Sequence, residues 1–498
     1  MSTYEMPVKR NSRDAALPSE EYVVKAMPPI LGSVDMVATY LLIVFFITNA
    51  NTAVSGGAAA FTFLAIGAVT FFIPSVIAAA QLGSMFPFEG SLYNWTHKAF
   101  GGYWSFFVAF CAWFPGVLVM ISAGSVIVSM IQGLNSAWLT DPRTQGLVII
   151  GLIIFACIVS TQRFRTVQNI VNVAAGLTLL AVVLIGIAGV AWLLTGHASQ
   201  TNFSQSAGWG INFSPQTGNI SLFGLITLAY LGVESPLNMG GEIVERKTVT
   251  RHLLWGTLLA LVGYFVATFS LLVVEGSTNG SISPFALIST VDSALGKPVG
   301  DIAFVCIMSF FVVTIAVYAF TYSRLLLVAG IDQRLPVGLG KLNRNRVPQN
   351  AIILQAVIAI VITALMYFVA PYFTTFGSAA TLSIDVYNIT LASSTLVWAI
   401  SAIFLFINLA RFYFIDRVKF LKQLIFPLPV LWAAIILGAS SCILAIVDTL
   451  FFSWIPSDIA NGSWWYIIGG LTVVYLIVAA VGSMVASSEA AWEGVAPE

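Results

Sequence analysis

Apolar residues in this chain run in blocks of about 20, the length a helix needs to cross a hydrocarbon core, with short polar breaks between them. Twelve blocks can be drawn, near 32–57, 60–83, 103–132, 146–160, 167–194, 220–240, 253–275, 300–328, 350–370, 380–409, 426–452 and 463–486. The fourth is short. This pattern predicts an all-α polytopic membrane protein with about 12 transmembrane helices. Residues 1–27 carry charges and prolines without an apolar run, so they read as a cytosolic tail and not a cleaved signal. Residues 28–486 read as the transmembrane domain and 487–498 as a second short cytosolic tail.

Composition narrows the class. Of the 498 residues, 8% are charged and 58% hydrophobic, whereas a soluble domain carries roughly 25% charged residues. Too little polar sequence exists to solvate a soluble fold, and a net charge of +0 excludes a nucleic-acid binder. Cys111, Cys157, Cys306 and Cys442 lie in apolar runs and read as small hydrophobes. With an inside N-terminus, every one of the 21 Lys+Arg except Arg143 and Lys297 falls in a cytoplasmic segment. That asymmetry supports the helix count and places both termini in the cytoplasm, with the chain in a plasma (inner) membrane.

Two spans break the apolar rule. The first contains Ile47-Thr48-Asn49-Ala50-Asn51-Thr52 and the sixth Tyr230-Leu231-Gly232-Val233-Glu234-Ser235-Pro236. Asn, Ser and Thr compete for backbone hydrogen bonds, Gly weakens a helix, and Pro236 donates no N–H. Unpaired backbone costs several kcal/mol in lipid, so such segments survive only against protein or a watery cavity. Paired breaks in corresponding positions of two halves point to a transporter with a midplane site, although Gly and Pro are also common in membrane helices generally. Glu234 is an intramembrane carboxylate. It can take up a proton, pair with a substrate amine or a protein group, or hold the broken helix in shape. Asp35, Asp301, Asp385 and Asp448 lie nearer span ends, where solvation or helix capping explains them.

One stretch is specific enough to name a family. Gln81-Leu82-Gly83-Ser84-Met85-Phe86-Pro87-Phe88-Glu89-Gly90-Ser91-Leu92-Tyr93-Asn94-Trp95, ending at Phe100-Gly101, resembles the second-helix signature of the amino acid–polyamine–organocation (APC) transporters. Ala229 to Glu234 with Gly241-Glu242-Ile243 resembles the family's sixth helix. Ser323-Arg324-Leu325-Leu326, Asp332, Leu335-Pro336 and Val347-Pro348 resemble its loop after helix eight. The pattern is most similar to the glutamate:GABA antiporter branch. It departs from the family at Gln81, in place of Glu, and at Ser91, in place of Gly. The fifth helix, Asn169 to Gly176, has no Lys.

The resemblance implies a five-plus-five inverted repeat (LeuT-like, the APC fold), with helices 1–5 near 32–194, helices 6–10 near 220–409, and two peripheral helices near 426–486. It implies a substrate carboxylate held by N–H groups at the first break and an amine held by carbonyls of the first and sixth. Thr48, Asn49, Ala50, Asn51, Thr52, Tyr230, Leu231, Gly232, Val233, Glu234 and Ser235 carry over as site positions. Trp113, Phe310, Tyr318 and Asp385 are gate candidates by position.

Function follows as an expectation. The leading reading is a secondary carrier of an amino acid or related amine working by alternating access. Exchange is preferred because the fifth-helix Lys is missing. A proton-coupled symporter with Glu234 as proton carrier is the alternative, and a transporter-fold sensor the third. An intramembrane enzyme is disfavoured, because His97, His197 and His252 are far apart and no metal-ligand spacing exists. No cofactor or metal is expected, and coupling to H+ or Na+ is open, with Thr314 a possible cation ligand. Expected partners are a small-molecule substrate and the lipid bilayer, with no nucleic acid and no obligatory protein.

Overall fold

The computed structural model describes residues 17–212, 219–277, 284–372, 382–454 and 459–493. Among them there is no strand; two isolated bridges, Leu31 to Ile243 and Glu89 to Met239, join connecting segments. Ten helices are long and apolar enough to cross a membrane. An eleventh crossing is the bent pair Ser33–Val44 and Asn49–Gly56, whose halves meet at 43°. The remaining expected span, the sixth, is Ser221–Leu228, too short to cross alone, followed by single turns at Ser235–Asn238 and Gly240–Glu242. The protein is an all-α polytopic membrane protein.

How deeply each helix is buried separates centre from periphery. In Gly102–Leu134 and in Asp385–Ile415, 83% of the apolar window is buried. In Leu428–Phe451 the figure is 33% and in Asn461–Ser487 it is 22%. The outer helices therefore present Ile, Val and Leu outward, as lipid-facing surfaces do, while the third and tenth spans form the core. Close approach in the core depends on small residues. A Cβ on Gly256 would stand 2.4 Å from the Tyr40 ring, so only glycine lets the seventh span (Arg246–Val274) lie against the first.

Several connecting segments depart from expectation. Residues 18–26, read as tail, form a helix, Pro18–Ala26, that docks on the body. Glu20 pairs with Lys98 at 2.8 Å, and the Ser19 N–H and hydroxyl donate to Asp332 at 2.9 and 3.0 Å. The docking has a plain cause: the helix is amphipathic enough to bury Val23 and its two polar anchors. At the other end the last helix continues to Glu493, past the expected boundary at 486; residues 1–16 and 494–498 lie outside the described residues. Asp448 is buried and accepts the Gly224 N–H at 2.7 Å. It ties the eleventh span to the sixth and is not a solvated span end. Asp35 does behave as a helix-start residue, accepting from Gly32 N–H at 3.0 Å and from Arg165 at 2.9 Å.

Candidate functional site

At the end of Ser33–Val44 the helix stops at Phe45 and resumes as Asn49–Ala53. The interruption is therefore Phe45 to Thr48, slightly upstream of the polar run that flagged it. Asn49 to Thr52 form the first turn of the second half. Ending a helix orphans its last carbonyls, and three hydroxyls from other spans meet them. Thr314 donates to Leu42 O at 3.4 Å, Tyr318 to Ile43 O at 2.9 Å, and Tyr264 lies 3.0 Å from Val44 O. The Tyr264 hydroxyl also accepts the Phe46 N–H at 3.0 Å and stands 3.3 Å from Ala229 O, so one group bridges both breaks. Among the described residues, the N–H groups of Ile47 and Thr48 donate to no acceptor, and Phe45 C=O is the one carbonyl from Leu42 to Thr48 without a donor. The first break is thus a donor-rich edge at the start of a half-helix, where partial positive charge favours an anion.

Ser221–Leu228 ends at Ala229, and Gly232 takes φ +100°, a conformation L residues avoid. Space reinforces the requirement: a Cβ there would lie 2.9 Å from the Trp398 ring and 3.0 Å from Ile43. The carbonyls of Tyr230, Leu231 and Val233 receive no hydrogen bond from any described residue. Glu234 is 3% exposed and accepts the Trp398 Nε1–H at 3.0 Å. Next to it Tyr322 donates to the Ser235 hydroxyl at 2.8 Å. Tyr318 stacks on Tyr322 with centroids 5.1 Å apart, and both meet Trp398 edge-on, at 6.3 and 5.8 Å. An aromatic wall therefore flanks Gly232 to Ser235. Tyr230 turns away, stacking on Phe72 at 4.5 Å and donating to Leu64 O at 3.1 Å.

Of the gate candidates, Tyr318 and Phe310 stand at the breaks, Phe310 packing edge-on against Phe46 at 5.7 Å. Trp113 does not. Its Nε1–H donates to Gln355 at 3.1 Å, and it lines a separate apolar cavity of about 110 Å³ with Phe106, Leu326 and Leu354. Asp385 is buried, close enough to Tyr367 to act on its hydroxyl electrostatically. Four residues reach the site without having been singled out: Tyr264, Tyr322, Tyr387, which bonds Thr48 at 3.0 Å, and Trp398. Their only signal in the sequence was a polar aromatic inside an apolar span, and with aromatics at 13% that signal does not discriminate. In the fifth span, Gln168 and Asn172 tie to the first helix, donating to Asp35 O at 2.9 Å and to Asp35 Oδ1 at 2.7 Å. Among the described residues no group of His, Cys, Asp and Glu has a metal-binding arrangement.

Known proteins share this sequence pattern. The family described as "Amino acid permease" matches residues 30–481. A branched-chain amino acid permease, BcaP, of Lactococcus lactis is 25% identical over 333 residues, 63% of this chain and 70% of the relative. A gamma-aminobutyric acid permease of Bacillus subtilis is 24% identical over 328 residues, 63% of this chain and 66% of its own length. An uncharacterized transporter of Legionella pneumophila is 24% identical over 223 residues; there the match spans 43% of this chain and 46% of the relative, so the chain covers less than half of that protein's length.

Proposed function

Since this chain belongs to the amino acid permease family, within the APC superfamily, we propose that it is a secondary carrier of an amino acid or related amine that works by alternating access. The observation that carries this reading is the pairing of two unlike helix breaks around one aromatic wall. A substrate carboxylate is matched by the Ile47 and Thr48 N–H groups. An ammonium is matched by the open carbonyls of Tyr230 and Leu231 and by the Glu234 carboxylate. The fit differs from the expectation in one respect. Leu42, Ile43 and Val44 carbonyls are already taken by hydroxyls, so the amine is assigned chiefly to the sixth break.

Exchange is preferred over proton symport because the fifth-span stretch Asn169 to Gly176 has no lysine to serve as a fixed cation. The relatives' names guide the first substrates to try, leucine and γ-aminobutyrate. We place the carrier in the plasma (inner) membrane with both termini cytoplasmic, on the strength of the basic-residue asymmetry. In liposomes loaded with unlabelled amino acid, labelled uptake is expected to run at least about tenfold faster than in empty ones. Equal rates would overturn exchange, and no uptake with any of the common amino acids or polyamines would overturn the carrier reading. The symport alternative requires uptake driven by an imposed pH gradient and lost in Glu234→Gln.

A further inference from the structure

Below the sixth break, on the face that carries the docked helix Pro18–Ala26, a cluster of three charges is sealed from solvent. Arg324 is 0% exposed, Glu242 2% and Glu89 3%. Arg324 donates to Glu242 Oε1 through both Nε and Nη2, at 3.1 and 2.8 Å, and through Nη1 to Phe320 O at 3.0 Å. Its guanidinium also lies over the Phe164 ring at 4.9 Å. Glu89 accepts the Gly241 N–H on Oε2 at 3.1 Å. Its other oxygen, Oε1, is 3.5 Å from Arg324 Nε, is buried, and has no hydrogen-bond partner. Two carboxylates therefore share one guanidinium whose hydrogens point mainly at the second.

A buried net negative charge with an unsatisfied oxygen is costly, and the chemistry that removes both faults is a proton. Burial, and then the neighbouring Glu242 carboxylate, push the Glu89 carboxyl well above the usual carboxylate range, against the pull of Arg324. The other charges on the elements around the cluster are engaged elsewhere. Glu20 pairs with Lys98, and Asp35 with Arg165. Asp332 holds Ser19, and its carboxyl is raised by burial. His97 is pushed down to about 4 by burial, Arg334 and Lys98, so it stays neutral near pH 7. Burial also raises Tyr93, which stays protonated. Glu245, Arg246 and Lys247 are exposed.

The cluster also joins four separate elements. Glu89 lies in the connection after the second span, Glu242 follows the sixth, and Arg324 sits near the end of the eighth. The Glu242 carbonyl accepts from Ile30 and Leu31 at 2.9 and 3.0 Å, which adds the start of the first span. We propose that Glu89 holds a proton beside the Glu242–Arg324 pair, and that this proton-binding site latches the cytoplasmic end of the carrier shut. The inference rests on the alternating-access reading for its role as a latch. The proton enters and leaves on the same side, so the exchange stoichiometry is unchanged. Because the carboxyl binds its proton more tightly in the closed form, closure is favoured at low pH and weakens as pH rises through that raised value, by up to about tenfold per pH unit for one proton.

Two readouts that need no substrate test the site on the full-length protein in nanodiscs. Infrared difference spectra across a titration from about pH 5 to pH 9 should show a protonated carboxylic C=O component near neutral pH that both Glu89→Gln and Glu242→Gln remove, leaving only the bands of other buried carboxyls such as Asp332 and Glu234. Hydrogen exchange over residues 84–93 and 236–245, expressed as protection relative to the unstructured rate, should fall as pH rises in the unmodified protein and stay flat in Glu89→Gln. No such component in the unmodified protein, or one unchanged in both variants, overturns the proposal; so does protection in Glu89→Gln that follows pH as before. If one variant misfolds, the other and the unmodified spectrum still decide. Liposome exchange separates the two readings. Uptake without that component removes the proton site and leaves the carrier, whereas the component and pH-linked protection without uptake keep the site and remove the carrier.

Discussion

At the first break the carbonyls of Leu42, Ile43 and Val44 are met by hydroxyls from three places on the seventh and eighth spans, and two N–H groups are left over. At the sixth, carbonyls are left open, a glycine at φ +100° sets the backbone, and a buried carboxylate stands beside them. The same event, loss of helical hydrogen bonding in mid-span, thus yields a donor-rich edge in one place and an acceptor-rich, anionic one in the other. Local sequence alone does not produce the difference. The first break, Phe45 to Thr48, carries a single hydrogen-bonding side chain, and its polarity is decided by Thr314, Tyr318 and Tyr264 arriving from elsewhere.

The sharpest way to break this contrast is Gly232→Val. A positive φ costs an L residue about 1–2 kcal/mol, and the new side chain collides with Trp398 and Ile43. Uptake is expected to vanish and the melting temperature to fall; retained uptake would mean that the sixth break is not rigidly defined. Next is Tyr264→Phe, which removes the hydroxyl shared by both breaks. Each buried group left without a partner costs about 1–3 kcal/mol, so uptake should drop by about ten- to a hundredfold, read from initial rates in liposomes. Should only substrates with a free carboxylate suffer, the bridge serves the first break alone.

Glu234→Gln keeps an acceptor for the Trp398 Nε1–H and removes only charge. Binding of amine-bearing ligands should weaken about tenfold, close to 1.4 kcal/mol, measured by ligand-induced thermal shift. An analogue without the amine should bind as before, and equal loss for both would detach the ammonium from the sixth break. The smallest effect belongs to Thr48→Val. Losing the 3.0 Å bond to Tyr387 should cost about 1 kcal/mol, seen as a few-fold rise in KM with little change in maximal rate.

Much of the fold was legible along the chain because each span has to satisfy its own backbone inside lipid, which ties element type and length to local composition. The blocks at 103–132, 167–194 and 300–328 correspond to Gly102–Leu134, Phe164–Leu194 and Lys297–Ile331, lengthened by a turn or less at each end. Both interruptions were visible from Asn, Gly and Pro. Facing was not. Trp113 and Tyr318 are equally plausible aromatics in apolar runs, and only packing sends one to an apolar cavity beside Gln355 and the other to Ile43 O. Asp448 looked like a span end because its partner, Gly224, is more than two hundred residues away in the chain. The helix Pro18–Ala26 looked like tail because a single turn or two of amphipathic sequence binds only if a complementary surface exists.

From sequence alone came the helical membrane class, the positions of the two breaks and the family motifs, since these depend on backbone chemistry within a single segment. The tertiary structure decided which breaks carry free donors and which free acceptors, which aromatics wall the site, and that Glu89, Glu242 and Arg324 meet. Those properties arise where segments from distant parts of the chain are pressed together in a medium without water, so that every polar group is defined by its neighbour and not by its own place in the sequence.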